Sequence, residues 1–70
     1  MKNQIHPNSI IEEGAEIGVG NIISENVIIR KDIKIGNGNL FGPNAHISNN
    51  VIIGNDNIFF GFISIGSIAE

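Results

Sequence analysis

The sequence has no cysteine, threonine, tyrosine or tryptophan, only two prolines, and no more than four Lys and Arg in seventy residues. Each shortage closes a class of function or fold. Without cysteine no disulfide can staple the chain and no zinc–thiolate site can form. At this length a single core is barely sufficient, so extra support must come from geometry or from oligomerisation. Four dispersed basic residues in a chain of net charge −3 argue against a nucleic-acid or membrane-surface role. No apolar run approaches the ~20 residues that span a bilayer. The N-terminus also lacks the apolar stretch of a secretory signal, so the expected location is the cytoplasm.

What is there is lopsided: seventeen Ile, eleven Asn and nine Gly. Such a bias demands a test for internal repeats. Stepping by six from Ile5 meets Ile11, Ile17, Ile23, Ile29, Ile35, Phe41, Ile47, Ile53, Phe59 and Ile65, with no insertion. Three places after each stand Asn8, Gly14, Gly20, Asn26, Asp32, Gly38, Asn44, Asn50 and Asp56, then Phe62 and Ile68. Asn, Asp and Gly are the residues that tolerate a left-handed backbone, so each hexad carries its own bend. Genome bias can supply Ile and Asn, but it cannot place them in phase.

A period of six spirals around an α-helix instead of forming a stripe. In extended chain six is even, so every repeat Ile points the same way. The bends leave strands too short for useful hairpins. The remaining solution is a coil in which several bends close a polygon and each turn pairs with the next. The turn length is also legible. Residues 17–21 (IGVGN), 35–39 (IGNGN) and 53–57 (IGNDN) echo at eighteen residues, as do Phe41 with Phe59, Glu12 with Arg30, and Glu16 with Lys34. Three hexads therefore close one triangular coil. Eleven hexads make a little under four coils, with Ile inside, a Phe pair stacked on one wall and an Asn ladder (Asn21, Asn39, Asn57) at one corner. The expected limits are a lead-in over 1–4, coils over 5–66, and the start of a loop or a truncated coil over 67–70.

On each wall the fifth and first hexad places point inward, and the sixth and second point outward. The first wall shows Ile10, Glu12, Ile28, Arg30, His46 and Ser48. The second shows Glu16, Gly18, Lys34, Gly36, Ile52 and Gly54. The third carries an apolar stripe, Ile22, Leu40 and Ile58 with Phe60, over three successive coils. A contiguous outward apolar stripe marks a partner surface, so these four residues are the expected oligomer interface, most simply of a parallel homotrimer. The bland alternative is scattered surface apolar residues in an Ile-biased chain.

Reactive residues are few. His6 precedes Pro7 at the start of the first coil, and His46 faces outward with no carboxylate at matching positions to orient it for general-base work. Two His, forty residues apart on different walls, do not make the three-His zinc site of a γ-class carbonic anhydrase. The regular Thr array of ice-binding β-helices is missing. GNGN at 36–39 belongs to the repeat and not to a phosphate-cradling loop before a helix. No catalytic, metal-ligating or cofactor-binding residue is assigned, and no cofactor is expected.

The hexad resembles that of the left-handed parallel β-helix family: an aliphatic residue, often Gly next (Gly18, Gly36, Gly42, Gly54, Gly66), and a small residue at the fifth place (Ser9, Ala15, Ala45). The left hand is implied by this resemblance, against the usual crossover rule. Two stretches narrow it. Residues 5–17, IHPNSIIEEGAEI, resemble the opening coil of the UDP-N-acetylglucosamine O-acyltransferases of lipid A biosynthesis. Residues 53–66, IGNDNIFFGFISIG, resemble the family's DN-aromatic stretch ending in Ser-Ile-Gly, with Gly61 where that family tends to have Gln or Pro. The resemblance implies the N-terminal β-helix of a nucleotide-sugar acyltransferase, a homotrimer served by acyl-carrier protein and a UDP-sugar. The family's general-base His lies in coils past position 70, so the seventy residues alone are expected to be inactive. The family's loop after Ser-Ile-Gly, and the side chains of Phe62 and Ile68, predict a coil that loosens past Gly66. The alternatives are part of a sugar O- or N-acetyltransferase of surface-polysaccharide biosynthesis, a non-catalytic assembly module, or a truncated remnant.

Overall fold

The computed structural model describes residues 2–66 and contains eleven two-residue strands and no helix. Strands β1 (Gln4–Ile5), β4 (Ile22–Ile23), β7 (Leu40–Phe41) and β10 (Ile58–Phe59) stack as the third wall. The first wall is β2 (Ile10–Ile11), β5 (Ile28–Ile29), β8 (His46–Ile47) and β11 (Ser64–Ile65); the second is β3 (Glu16–Ile17), β6 (Lys34–Ile35) and β9 (Ile52–Ile53). Every pairing is parallel and joins residues eighteen apart, as in Ile5 with Ile23 and Ile17 with Ile35. The fold is a parallel β-helix of the left-handed type, with three complete coils and a fourth begun on two walls. The first strand opens at Gln4, one residue inside the expected lead-in. The expected loop at 67–70, and Ile68 with it, lies outside the described residues.

The repeat residues fill the prism. Ile23, Ile29, Ile35, Phe41, Ile47 and Ile53 form the core together with Val27, Ile33 and Ala45 from the fifth hexad place. Burial of each Ile or Phe contributes roughly 1.5–3 kcal/mol, and it is most complete where coils lie on both sides, as at Ile29 and Phe41, both 0% exposed. Ile5, in the first coil, is still 46% exposed. Stability is therefore shared between neighbouring coils. Phe41 and Phe59 stack in the predicted way, with ring centroids 5.0 Å apart and planes inclined by 13°.

One corner is polar and buried. Asn21 and Asn39 are 0% and 1% exposed. In each rung the Asn Oδ1 accepts from both the backbone N–H and the Nδ2 of the Asn one coil later, and Nδ2 also donates to a glycine carbonyl fifteen residues on. The ladder begins one rung earlier than expected: Asn3 Oδ1 accepts from Asn21 N and Nδ2, while Asn3 Nδ2 donates to Gly18 O. It ends at Asn57, which donates N–H and Nδ2–H to Asn39 Oδ1. Each interior Asn thus fills its acceptor and donor sites, as a buried amide must. A second rail runs outside the same corner, where Asn37 Oδ1 accepts from Val19 N and Asn55 Oδ1 from Asn37 N. Close approach there requires glycine: a Cβ on Gly36 would lie 2.7 Å from the Gly54 carbonyl oxygen.

The bends are left-handed at Gly14, Gly20, Asn26, Gly38, Asn44, Asn50 and Asp56, but not at Asn8 or Asp32. Phe62 keeps the left-handed bend as well. It has no Asn, Asp or Gly character, yet it takes φ +61° and donates its N–H to Pro43 O, as Asn44 donates to Glu25 O one coil earlier. The regular coil continues through it, and β11 pairs with β8 in normal register.

Candidate functional site

The four residues expected to form an interface are brought onto one face. Ile22, Leu40 and Ile58 are direct register neighbours on β4, β7 and β10, so their side chains rise in one column. Phe60 stands beside Ile58, and all four are exposed; Ile58 reaches 66% and Phe60 79%. The column is outward because the inward places of the same strands are taken by Ile23, Phe41 and Phe59. The pleat leaves the alternate residue no choice of face. Phe62, at the bend that follows, is 83% exposed and continues the apolar surface along the chain. No charged side chain occupies an outward strand position of this wall, whereas the second wall presents Glu16 and Lys34.

At the lower end of the same wall a shallow depression of about 320 Å³ is lined by Gln4, Ile5, His6, Ile22, Ile23, Ser24 and Glu25. His6 is committed locally: its Nδ1 accepts from Asn8 N, and its carbonyl accepts from Ser9 N and Oγ. That acceptor role assigns the proton of the neutral ring to Nε2. His46 lies elsewhere, on the first wall between Ile28 and Ser64. It faces outward as expected but is not bathed in solvent. Its Nε2 is shielded and has no hydrogen-bond partner among the described residues. The two histidines are not brought together. Among the described residues no three His, Asp or Glu side chains gather to hold a metal ion.

Glu12 and Arg30 form the predicted inter-coil pair, Arg30 Nη1 donating to Glu12 Oε2 at 2.9 Å, and Glu12 Oε1 also accepts from Lys31 N. These hydrogen bonds hold the Glu12 carboxyl below its usual range, Arg30 contributing most. Glu16 and Lys34 are equally in register, yet the Glu12–Arg30 pair is the only salt bridge among the described residues. Arg carries a planar fork that suits a carboxylate, and Lys31 N–H supplies Glu12 with a further donor. Glu16 faces a single flexible ammonium, for which ordering two exposed side chains offsets the attraction.

Asn3, the first rung of the ladder, escaped the sequence reading. The signal was present, since Asn3 precedes Asn21 by the coil length, but it lies outside the hexads counted from Ile5. No protein-family model and no curated protein matches the chain. No helix among the described residues is long and apolar enough to cross a membrane.

Proposed function

We propose that this chain is the non-catalytic N-terminal β-helix of a nucleotide-sugar acyltransferase, of the type that moves an acyl group from acyl-carrier protein to UDP-N-acetylglucosamine in lipid A biosynthesis. Its own part is to scaffold the coils and to join subunits into a cytoplasmic homotrimer. The observation that carries this reading is the unbroken run of eleven hexads in one register, with the IHPNSIIEEGAEI and IGNDNIFFGFISIG strings at the two ends of that run. A rigid coil suits such a role because a repeat array fixes the position of whatever its last turn supports.

A chimera tests it. Residues 1–66 would replace the corresponding opening coils of a UDP-N-acetylglucosamine acyltransferase. Retained trimer mass and retained acyl transfer are expected, while the seventy-residue chain alone turns over no substrate. A chimera that folds but neither trimerises nor transfers acyl groups refutes the acyltransferase reading, and turnover by the isolated chain refutes the view that these coils lack the reactive site.

A second reading, a free-standing assembly module, is favoured by the apolar column Ile22–Leu40–Ile58 with Phe60, which has a use whether or not chemistry follows. Light scattering at micromolar concentration addresses the interface in both readings. A mass of three chains is expected for the wild type. The pair Leu40→Lys with Ile58→Lys should reduce it to one chain and leave the circular dichroism unchanged, because both side chains point away from the core. A wild type of one-chain mass removes the interface.

A further inference from the structure

Of the eleven Asn in the chain, Asn37 alone precedes a glycine. The pair stands in the middle coil, at the corner that follows β6, and both residues are exposed. Asn before Gly is the pairing most open to spontaneous deamidation. Glycine has no side chain to crowd the attack of its own nitrogen on the Asn side-chain carbonyl carbon, and its backbone turns freely toward it. Among the described residues Asn37 Nδ2 has no hydrogen-bond partner, so ammonia formed from it leaves directly into water.

The fold engages both reacting groups elsewhere. Gly38 N, the nucleophile, donates to Val19 O at 3.0 Å. Asn37 Oδ1 accepts from Val19 N at 2.8 Å. One residue of the preceding coil thus occupies the attacking nitrogen and the carbonyl it would attack. Asn37 N in turn donates to Asn55 Oδ1 at 2.7 Å, which ties the same residue to the following coil. The seat is shaped for this arrangement, since a Cβ on Gly18 would collide with Asn37 Oδ1. Ring closure requires Gly38 N to release its bond to Val19 O. The Asn37 side chain must also turn from Val19 N toward its own backbone.

We propose that Asn37–Gly38 is a deamidation site that the outer Asn rail holds closed, and that its modification is a one-way change in the middle coil. When the corner opens locally, Gly38 N loses its proton and bonds to Asn37 Cγ. The Cγ–Nδ2 bond breaks, and Nδ2 leaves as ammonia with that proton. Water then opens the resulting succinimide. Addition at Cγ gives aspartate, and addition at the backbone carbonyl carbon gives isoaspartate. The two products differ in fit. The rail uses the Asn37 side chain only as an acceptor at Oδ1, which aspartate keeps. Isoaspartate routes the chain through Cγ and adds a CH₂ to the backbone, so the corner cannot close in the eighteen-residue register. The proposal does not depend on the acyltransferase reading.

The experiment ages the full chain in mildly alkaline buffer, folded and in guanidinium chloride. Digestion and mass spectrometry, with chromatography to separate aspartate from isoaspartate, then read position 37. Opening is fast relative to the chemistry, so the rate follows the open fraction. Two hydrogen bonds at about fivefold each make the folded chain roughly 25-fold slower than the unfolded one. Val19→Pro removes the N–H that holds Oδ1 and keeps the carbonyl that holds Gly38 N. Val19 stands before the left-handed Gly20 (φ +72°), the turn place at which Pro is common. This variant, shown folded by circular dichroism, should deamidate about fivefold faster than folded wild type. Asn37→Asp should keep the wild-type denaturant midpoint, while the isoaspartate chain purified from the aged sample should have a lower one. The comparison of folded with unfolded wild type stands whether or not Val19→Pro folds. A folded wild type that deamidates as fast as the unfolded chain, a folded Val19→Pro chain no faster than wild type, or an isoaspartate chain as stable as Asn37→Asp overturns the proposal.

Discussion

Replacing Asn39 by Asp exchanges one NH₂ for an oxygen at the buried centre of the ladder. The Oδ1 that accepts from Asn57 N and Nδ2 survives. The other oxygen now meets two acceptors, Asn21 Oδ1 and Gly54 O, which Nδ2 approached at 3.1 and 2.8 Å. A protonated Asp can donate to one of them, so the neutral form loses a single hydrogen bond, about 1 kcal/mol. An ionised Asp has no partner there, and burial drives its pKa upward. The unfolded chain titrates near pH 3.9. Holding the proton on at pH 7 thus costs at most about 4 kcal/mol, at roughly 1.4 kcal/mol per pH unit. The sign follows from linkage: with a raised folded pKa, the extra penalty is absent below the unfolded value, grows as pH rises, and levels off above the folded value.

A total approaching 5 kcal/mol at pH 7 rivals the whole stability of a seventy-residue chain, about 4–10 kcal/mol at typical per-residue values. The variant should be largely unfolded at pH 7 and regain most of its structure at pH 4. Urea titrations followed by circular dichroism, with wild type measured at both pH values, give the difference directly. Asn57→Asp is the control, since the exposed Asn57 leaves its charge in water. An Asn39→Asp deficit equal at pH 4 and pH 7, or matched in its pH dependence by Asn57→Asp, refutes the buried, fully satisfied ladder.

Phe41→Ala should lower the urea-derived stability by about 3–5 kcal/mol, and by more than Phe59→Ala, because Phe41 has coils on both sides while Phe59 lies in the last coil. Phe62→Asn should raise the melting temperature by the equivalent of about 1 kcal/mol: the φ of +61° suits Asn, and the exposed ring leaves little packing to lose. A lower melting temperature would mean that the Phe62 ring stabilises the coil. The depressed carboxyl of Glu12 lends stability that is complete above the usual glutamate value of 4.5 and is lost as pH falls through its lower folded value. Glu12→Gln should therefore flatten the wild-type fall in urea midpoint below pH 4.5, and an unchanged slope would show that Arg30 gains nothing from the charge.

Much of this molecule is written in its spacing. An even period of six puts all repeat residues on one face of extended chain, and the eighteen-residue echo aligns Phe41 with Phe59, Glu12 with Arg30 and Ile22 with Leu40 and Ile58. These follow from strand geometry alone, because a side chain's face is set by counting along the backbone. The outward column was legible for the same reason.

Counting along the chain does not reveal what a side chain finds one coil away. The Asn3 rung, the Asn37–Asn55 rail, the shielded Nε2 of His46 and the unequal fates of Glu12–Arg30 and Glu16–Lys34 all depend on axial spacing, rotamer and competing donors. Phe62 shows the same division. Its residue type does not announce a left-handed bend, yet the hydrogen bond to Pro43 O and the pairing of the strand beyond it hold one there. The sequence by itself determined the period, the inward face and the register of the coils. Only the tertiary structure decided which polar groups are satisfied, because that depends on the neighbouring coil.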